Sequence, residues 1–193
     1  MTATKTKAKS KTNATVNIDL PANPFLFEIL NLTVKQRTNA KKIEVLQKYN
    51  HPSLRAILIW NFDESVISSL PEGIVPYSSV GEQNSFSGTL SEKIEDAVDK
   101  MSEMGSNSLG SQDQGFSSIR KEYAKFYNFI KGGNDGLSSL RRETMFINIL
   151  QGLHPLEAEI LCLVKDKKLE TKYKITKEIV SQAYPEIVWG GRS

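Results

Sequence analysis

The chain has 193 residues, of which 39% are hydrophobic, and it carries a formal net charge of +3. This length allows one domain or two small ones with a hydrophobic core, and the low hydrophobic fraction predicts that part of the chain is disordered. A single cysteine, Cys162, excludes an internal disulfide framework. No apolar run approaches the ~18 residues of a membrane-spanning helix, so we expect a cytoplasmic protein without a membrane partner.

The first 22 residues form a lysine-rich tail. They contain almost no apolar side chains, so the conformational entropy of the free chain favours disorder there. The tail lysines are candidates for loose contacts with phosphates or with an acidic partner: Lys5, Lys7, Lys9 and Lys11. A purely solubilising extension is the alternative.

Residues 23–77 are predicted to form the N-terminal helical part of a core. A first helix is expected from Asn23 with Pro24 in its first turn, a second across residues 40–49, and a third after His51 with a proline at the first helical position. Asp63 is expected to cap a further helical turn. Residues 70–77 contain two prolines and a glycine and are expected to lie over the helices as an ordered loop. A proline-rich peptide ligand is the alternative for this loop.

Residues 78–116 have the Ser, Gly, Asn and Gln content of a linker or a long insertion, and their net charge is −5. Within them, residues 89–104 have the periodicity of an isolated acidic amphipathic helix. Its apolar stripe is a candidate face for a partner helix: Leu90, Ile94, Val98 and Met101. We expect this helix either to dock on the core or to bind a partner.

Residues 117–193 are predicted to form the C-terminal helical part of the core, beginning with short amphipathic helices. The first starts near Ser117 and ends where Gly132 and Gly133 supply a left-handed residue. Its predicted buried stripe consists of Ile119, Tyr123, Phe126, Tyr127 and Ile130. The second starts at a cap on Ser138, and its predicted stripe consists of Leu140, Phe146, Ile149 and Leu150. Such helices must pack against each other, because none hides its stripe alone.

A third helix starts at His154, as another does at His51. Both histidines precede a proline, which favours helix capping over metal binding or general base catalysis. Glu157 and Glu159 lie two residues apart, hence on different faces, and are expected to interact with the positive end of the helix dipole. Cys162 is expected to be a buried structural thiol.

The segment from residue 165 to residue 177 is the densest basic patch outside the tail. Its lysines are candidates for contacts with phosphates or with an acidic partner: Lys165, Lys167, Lys168, Lys172, Lys174 and Lys177. We expect a basic loop here, followed by a last helix that Thr176 caps. Helix, basic loop and helix are compatible with nucleic-acid contact, and a solvated turn between helices is the alternative.

No catalytic or metal-binding motif accompanies these elements. The sequence contains no GxSxG, no HExxH, no CxxC and no glycine-rich phosphate loop. A catalytic nucleophile or general base also needs an orienting partner, and none can be assigned. We therefore predict a non-enzymatic protein with no catalytic residues, no metal ligands and no cofactor.

Several short stretches point to a family. They are Tyr49–Arg55, Phe62–Ser65, Leu70–Gly73 with Pro76 and Tyr77, Lys131–Asn134, Arg141–Phe146, Leu150–Pro155 and Val164–Lys168. Together they cover about residues 24–77 and 117–189, and they resemble uncharacterised proteins encoded by large contractile-tailed bacteriophages, especially marine relatives of the T-even group. The segment from about Val80 to Gln114 is longer than that family leads us to expect. The resemblance implies a phage origin, but no activity, cofactor or site residue.

The sequence thus predicts an all-α protein, a single compact bundle of short helices. A disordered tail (1–22) precedes the bundle, and a long, partly disordered acidic insertion (78–116) separates its two helical parts. The functional hypothesis is an accessory protein of the host cytoplasm, acting as a binding module for nucleic acid or for a replication or transcription complex. A virion structural or assembly component is the alternative. The partner is unknown, and a phage or host protein is expected.

Overall fold

The structure is a computed structural model, and it describes residues 19–76 and 117–191. Predictions on two sets of residues fall outside these ranges. They are the tail lysines Lys5, Lys7, Lys9 and Lys11, and the helix stripe Leu90, Ile94, Val98 and Met101.

The described residues form eight α-helices and one 3-10 helix, without a β-strand. The helices are α1 (Leu26–Val34), α2 (Asn39–Lys48), α3 (Pro52–Phe62), α4 (Ile119–Glu122), the 3-10 helix η1 (Tyr123–Phe129), α5 (Ser139–Gly152), α6 (Pro155–Lys165), α7 (Leu169–Tyr173) and α8 (Lys177–Ala183). An isolated antiparallel bridge pairs Ser68 with Ile130. The prediction of an all-α protein is confirmed.

Local sequence signals set where several helices begin. The Nδ1 atom of His51 accepts the backbone N–H of Ser53 at 3.1 Å, and the Nδ1 atom of His154 accepts that of Leu156 at 3.1 Å. A proline occupies the first helical position in both cases, where its missing N–H leaves no hydrogen bond unmade. Thr176 likewise caps α8. The capping role predicted for the two histidines is confirmed.

Helix α6 occupies the centre of the bundle. It packs against α1, α3, α5 and α7, while α2 packs against α1 and α8. One hydrophobic cluster includes fully buried residues from both described ranges, among them Leu30, Ile57, Phe129 and Leu161. Full burial of each such side chain stabilises the fold by about 1.5–3 kcal/mol. Cys162 lies in this cluster, as predicted.

The helix expected from Ser117 to Gly132 is instead a single turn of α-helix followed by the 3-10 helix η1. A 3-10 helix repeats every three residues, so Phe126 and Phe129 point to the core together, whereas Tyr127 remains 52% exposed. The segment ends as predicted at Gly132, which has a left-handed φ of 72°. The next residue must also be glycine, because a Cβ atom on Gly133 would lie 1.8 Å from the carbonyl oxygen of Tyr127.

Four other local predictions are wrong. Asp63 ends α3 rather than starting a helix, because its carboxylate accepts the N–H of Ser65 in a turn. Leu140 is 75% exposed, since it lies on the outer side of α5. Helix α1 begins after Pro24 rather than at it. The expected basic loop contains helix α7, whose first and last residues, Leu169 and Tyr173, are buried.

Candidate functional site

Lys165 is the first lysine of the predicted basic patch, and it is structural. Its side chain is 1% exposed, and its ammonium ion-pairs with the neighbouring Asp166. The same Nζ atom donates to the carbonyl oxygens of Pro71 at 2.7 Å and Gly73 at 3.2 Å. A buried ammonium with its donors satisfied cannot reach a phosphate. The prediction that Lys165 contacts phosphates or an acidic partner is therefore wrong. This residue instead holds the loop that contains Pro71 and Gly73 against the end of α6.

Lys167 is partly committed to the same region. Its Nζ atom donates to the carbonyl oxygen of Asp63 at 2.5 Å. Burial lowers the pKa of Lys167, and the nearby carboxylates of Asp63 and Glu64 act in the opposite direction. This lysine joins the end of α3 to the turn between α6 and α7, so only part of its charge faces solvent.

Besides Lys167, which is exposed although it binds Asp63, four patch lysines lie on the surface: Lys168, Lys172, Lys174 and Lys177. Two of these have intramolecular partners, because Lys172 ion-pairs with Glu159 and the ammonium of Lys177 lies 5.2 Å above the ring of Trp189. The Lys172 side chain is 37% exposed and Lys177 is also exposed, so both ammonium groups face solvent as well as their partners. The surface lysines therefore stay candidates for contacts with an anionic partner.

The structure adds a second basic segment to this patch, which sequence reasoning missed. The Nζ atom of Lys42 in α2 donates to the carbonyl oxygen of Lys174 at 2.9 Å, and α2 packs along α8. Residues 35–48 contain five basic side chains and one acidic one. The five are Lys35, Arg37, Lys41, Lys42 and Lys48. The density of basic residues in this segment was the available signal, but only the fold shows that it meets residues 167–178.

We call the two joined segments, residues 35–48 and 167–178, the basic face. They contain ten basic side chains and three acidic ones. Lys48 forms an ion pair with Asp19, so its positive charge is partly neutralised. The remaining charge is sufficient for an electrostatic footprint on a polyanion, because several unpaired cations lie on elements that pack together.

Glu157 connects the parts of the chain on either side of the insertion. It is fully buried, its Oε1 atom accepts the N–H of Leu26 at 3.1 Å and its Oε2 atom accepts the N–H of Ile119 at 2.8 Å. Burial raises the pKa of Glu157 to about 7, against the effect of the two backbone donors and of Arg120. The expected interaction with the start of its own helix is thus replaced by hydrogen bonds to the starts of α1 and α4.

The other chemically distinctive groups of the described residues are also committed to the fold. Burial raises the pKa of Cys162 to about 12, which leaves its thiol protonated and unreactive at neutral pH. Within the described ranges, no three His, Cys, Asp or Glu side chains lie close enough together to hold a metal ion. In the same ranges, no helix has both the length and the apolar character needed to cross a membrane.

A groove of about 720 Å³ runs along the outer side of α5. The apolar residues that line it are Leu137, Leu140, Met145 and Ile149. The other lining residues are Ser117, Glu122, Lys125, Arg141, Thr144, Asn148 and Gly152. Leu140 is 75% exposed.

The loop beside this groove is fixed from below by Arg142. The Nε atom of this buried side chain donates to the carbonyl oxygen of Asn128 at 2.7 Å. Its Nη2 atom donates to the carbonyl oxygens of Asn134 at 2.9 Å and Leu137 at 3.0 Å. One guanidinium thereby satisfies three carbonyl groups of an irregular segment, which a shorter or less branched donor could not do.

Comparison with known proteins gives a family but not an activity. No curated protein and no solved structure matches the chain. Residues 29–104 and 103–171 match the family described as "Family of unknown function (DUF6433)". Because these matches extend over more than half of the chain, the protein belongs to the DUF6433 family, whose function is unknown.

Proposed function

We propose that this protein is a non-enzymatic bacteriophage accessory protein, acting in the host cytoplasm, that binds nucleic acid through its basic face. The supporting observation is the contact between Lys42 and Lys174, which joins two lysine-rich segments that are far apart in the sequence. A replication or transcription complex would supply such a polyanion. A polyanion would meet charges from α2 and from the turn between α7 and α8 at the same time.

Binding at this face is electrostatic and largely independent of base sequence. Lysine meets a phosphate as a point charge and reports little about the bases. The neighbouring aromatic rings are already used by the fold, since Tyr173 is 1% exposed and Trp189 lies beneath Lys177. A stacking platform for unpaired bases, which sequence-specific RNA readers use, has no counterpart among the described residues of this face.

The non-enzymatic part of the proposal is supported by the way reactive groups are used. His51 and His154 each use Nδ1 to accept a backbone N–H, which removes that nitrogen from proton transfer. Glu157 has both oxygens bound to backbone donors. A catalytic group needs a free position towards the substrate, and the side chains of His154 and Glu157 are buried.

The test compares two pairs of substitutions that remove the same charge. Lys41→Gln with Lys174→Gln alters the basic face, while Lys121→Gln with Lys131→Gln alters exposed lysines on other elements. The affinity for duplex DNA is measured by fluorescence anisotropy over a range of salt concentrations. Each phosphate contact contributes about 0.9 to the slope of log affinity against log salt, so we expect the first pair to reduce that slope by about 1.8. The second pair should leave the slope nearly unchanged.

Two outcomes would contradict the proposal. Equal effects of the two pairs would mean that net charge, not this face, determines binding. No binding to DNA even at low salt would make an acidic protein surface the better partner. The cellular location is tested separately by mass spectrometry, where we expect peptides of this chain in infected-cell lysate and not as an abundant component of purified particles.

A further inference from the structure

Two lysines of the basic face have a left-handed backbone. The φ angle is 56° at Lys167 and 47° at Lys174, whereas the other described residues with positive φ are Gly73, Gly132 and Gly190. A side chain with a Cβ atom meets a steric cost in this conformation that glycine avoids. A lysine at such a position therefore calls for an explanation in what its side chain does.

The side chain of Lys167 has a structural explanation, but that of Lys174 has none. The Nζ atom of Lys167 donates to the carbonyl oxygen of Asp63 at 2.5 Å. Lys174 is exposed, and within residues 19–76 and 117–191 its ammonium forms neither a hydrogen bond nor an ion pair. The charge of Lys174 is therefore available to a partner, although glycine would fit its backbone better.

The backbone of Lys174 is held on both sides. Its N–H donates to the carbonyl oxygen of Glu170 at 3.0 Å, and its own carbonyl oxygen accepts the Nζ atom of Lys42 at 2.9 Å. The residues before and after it, Tyr173 and Ile175, are 1% and 0% exposed. The exposed side chain of Lys174 therefore starts from a fixed point beside α2.

The same contact brings a second ammonium group to this point. A carbonyl oxygen lies about 2.4 Å from the Cα atom of its own residue, so the Nζ atom of Lys42 lies within about 5.3 Å of the Lys174 Cα atom. The flexible four-carbon stem of Lys174 is long enough to place its ammonium next to that of Lys42. Both charges can therefore reach one common point on the surface.

The chemistry of this point favours a phosphate group. Neither Lys42 nor Lys174 forms an ion pair with a carboxylate of the described residues, so their mutual repulsion is not offset within the fold. The Lys42 ammonium uses one of its three N–H groups on the carbonyl oxygen of Lys174, while that of Lys174 retains all three. A phosphate offers both the negative charge and the several acceptor oxygens that such a pair of donors requires.

We propose that Lys42 and Lys174 together bind a single phosphate group of a nucleic-acid backbone. This inference rests on the function proposed above, and it goes further by assigning two cations to one phosphate. Either ammonium alone is an ordinary exposed cation, which binds an anion weakly, so the contact requires both. The left-handed Lys174 places its charge where Lys42 also reaches, at a cost in stability.

The test is a double-mutant cycle in the full chain. The affinity for duplex DNA is measured by fluorescence anisotropy for Lys42→Gln, Lys174→Gln and the double variant. A slope of about 0.9 per contact corresponds to a factor of about eight in affinity between about 1 M and about 0.1 M salt. At the lower salt concentration each single variant should bind about eightfold more weakly, and so should the double variant, because one contact is lost in all three.

A matched pair removes the same charge but two separate contacts. Lys41→Gln with Lys174→Gln should weaken binding by about 60-fold under the same conditions, because the two factors of about eight multiply. Lys42→Arg retains the charge and the donors, and it should keep the affinity of the parent chain.

A glycine variant separates binding from folding. Lys174→Gly removes both the charge and the steric cost of the left-handed backbone. It should raise the midpoint of thermal unfolding by about 2 °C and still weaken binding as much as Lys174→Gln does. Effects of opposite sign on stability and affinity cannot come from a loss of folded protein.

Three results would overturn the proposal. A loss of about 60-fold in the Lys42→Gln and Lys174→Gln double variant would mean that the two lysines contact separate phosphates, and the basic face would still be the binding surface. Parental affinity in Lys42→Gln or in Lys174→Gly would mean that the altered residue makes no contact. No binding of the parent chain to DNA at low salt would contradict the proposed function itself, and this site with it.

Discussion

The buried carboxylate of Glu157 makes the stability of this protein depend on pH in an unusual direction. Burial raises its pKa from 4.5 to about 7 in the folded state. Between these values the folded chain binds a proton that the unfolded chain has lost, so the stabilising contribution is complete below about pH 4.5 and is lost as the pH rises through 7. Most paired carboxylates in proteins have lowered pKa values and act in the opposite direction.

The magnitude follows from the pKa difference. A change from 4.5 to about 7 corresponds to roughly 3 kcal/mol of unfolding free energy between pH 4 and pH 8. Glu157→Gln removes the titration but retains one oxygen that can accept a backbone N–H. The free energy of unfolding is measured by urea denaturation with circular dichroism at several pH values, and the variant is subtracted from the parent. Subtraction cancels the titrating groups that do not interact with Glu157, such as His51, because both chains contain them.

We expect the parent to lose roughly 3 kcal/mol relative to Glu157→Gln as the pH rises from 4 to 8. A flat difference would mean that the two backbone donors offset the desolvation of the carboxylate completely. A difference of the opposite sign would mean that they outweigh it, and the environment of Glu157 would then favour the ionised form. Either result would refute the argument from burial.

Three further predictions concern other buried groups. His154→Ala should destabilise the protein by about 1 kcal/mol more than His154→Asn in urea denaturation, because asparagine still accepts the N–H of Leu156 while both variants lose the ring stacked on Phe27 at 4.8 Å; equal losses would exclude the capping contribution. Arg142→Lys should cost about 2 kcal/mol, since one ammonium cannot replace a guanidinium that binds three carbonyl groups, and a loss below about 0.5 kcal/mol would contradict that role. Cys162 should resist thiol reagents in the native chain and react fully after urea unfolding, whereas rapid native modification would show that its surroundings open readily.

The parts of the fold that sequence reasoning predicted correctly depend on neighbouring residues. A histidine before a proline specifies a helix start within three residues, and the structure has that start at both His51 and His154. The segment from Ser117 to Gly132 was predicted wrongly although it has the same kind of pattern. Its aromatic residues fit a 3.6-residue period and a 3-residue period almost equally well, and the choice between them depends on tertiary packing. Here the side-chain amide of Asn128 donates to the carbonyl oxygen of Lys125, and the backbone carbonyl oxygen of Asn128 accepts a hydrogen bond from the Nε atom of Arg142.

The contacts that define the candidate site connect residues too distant in sequence for any local pattern to reveal. Lys42 and Lys174 are 132 residues apart, and Glu157 is 131 residues from Leu26. A count of lysines between residues 165 and 177 also could not separate the buried Lys165 from its exposed neighbours. A lysine at a helix C-terminus is well placed to bind nearby carbonyl groups, and Lys165 does so at the end of α6. The surface charge of the folded part therefore depends on which ammonium groups form hydrogen bonds inside the fold. Removing the α2 lysines should weaken binding to a polyanion, whereas removing the buried Lys165 should not.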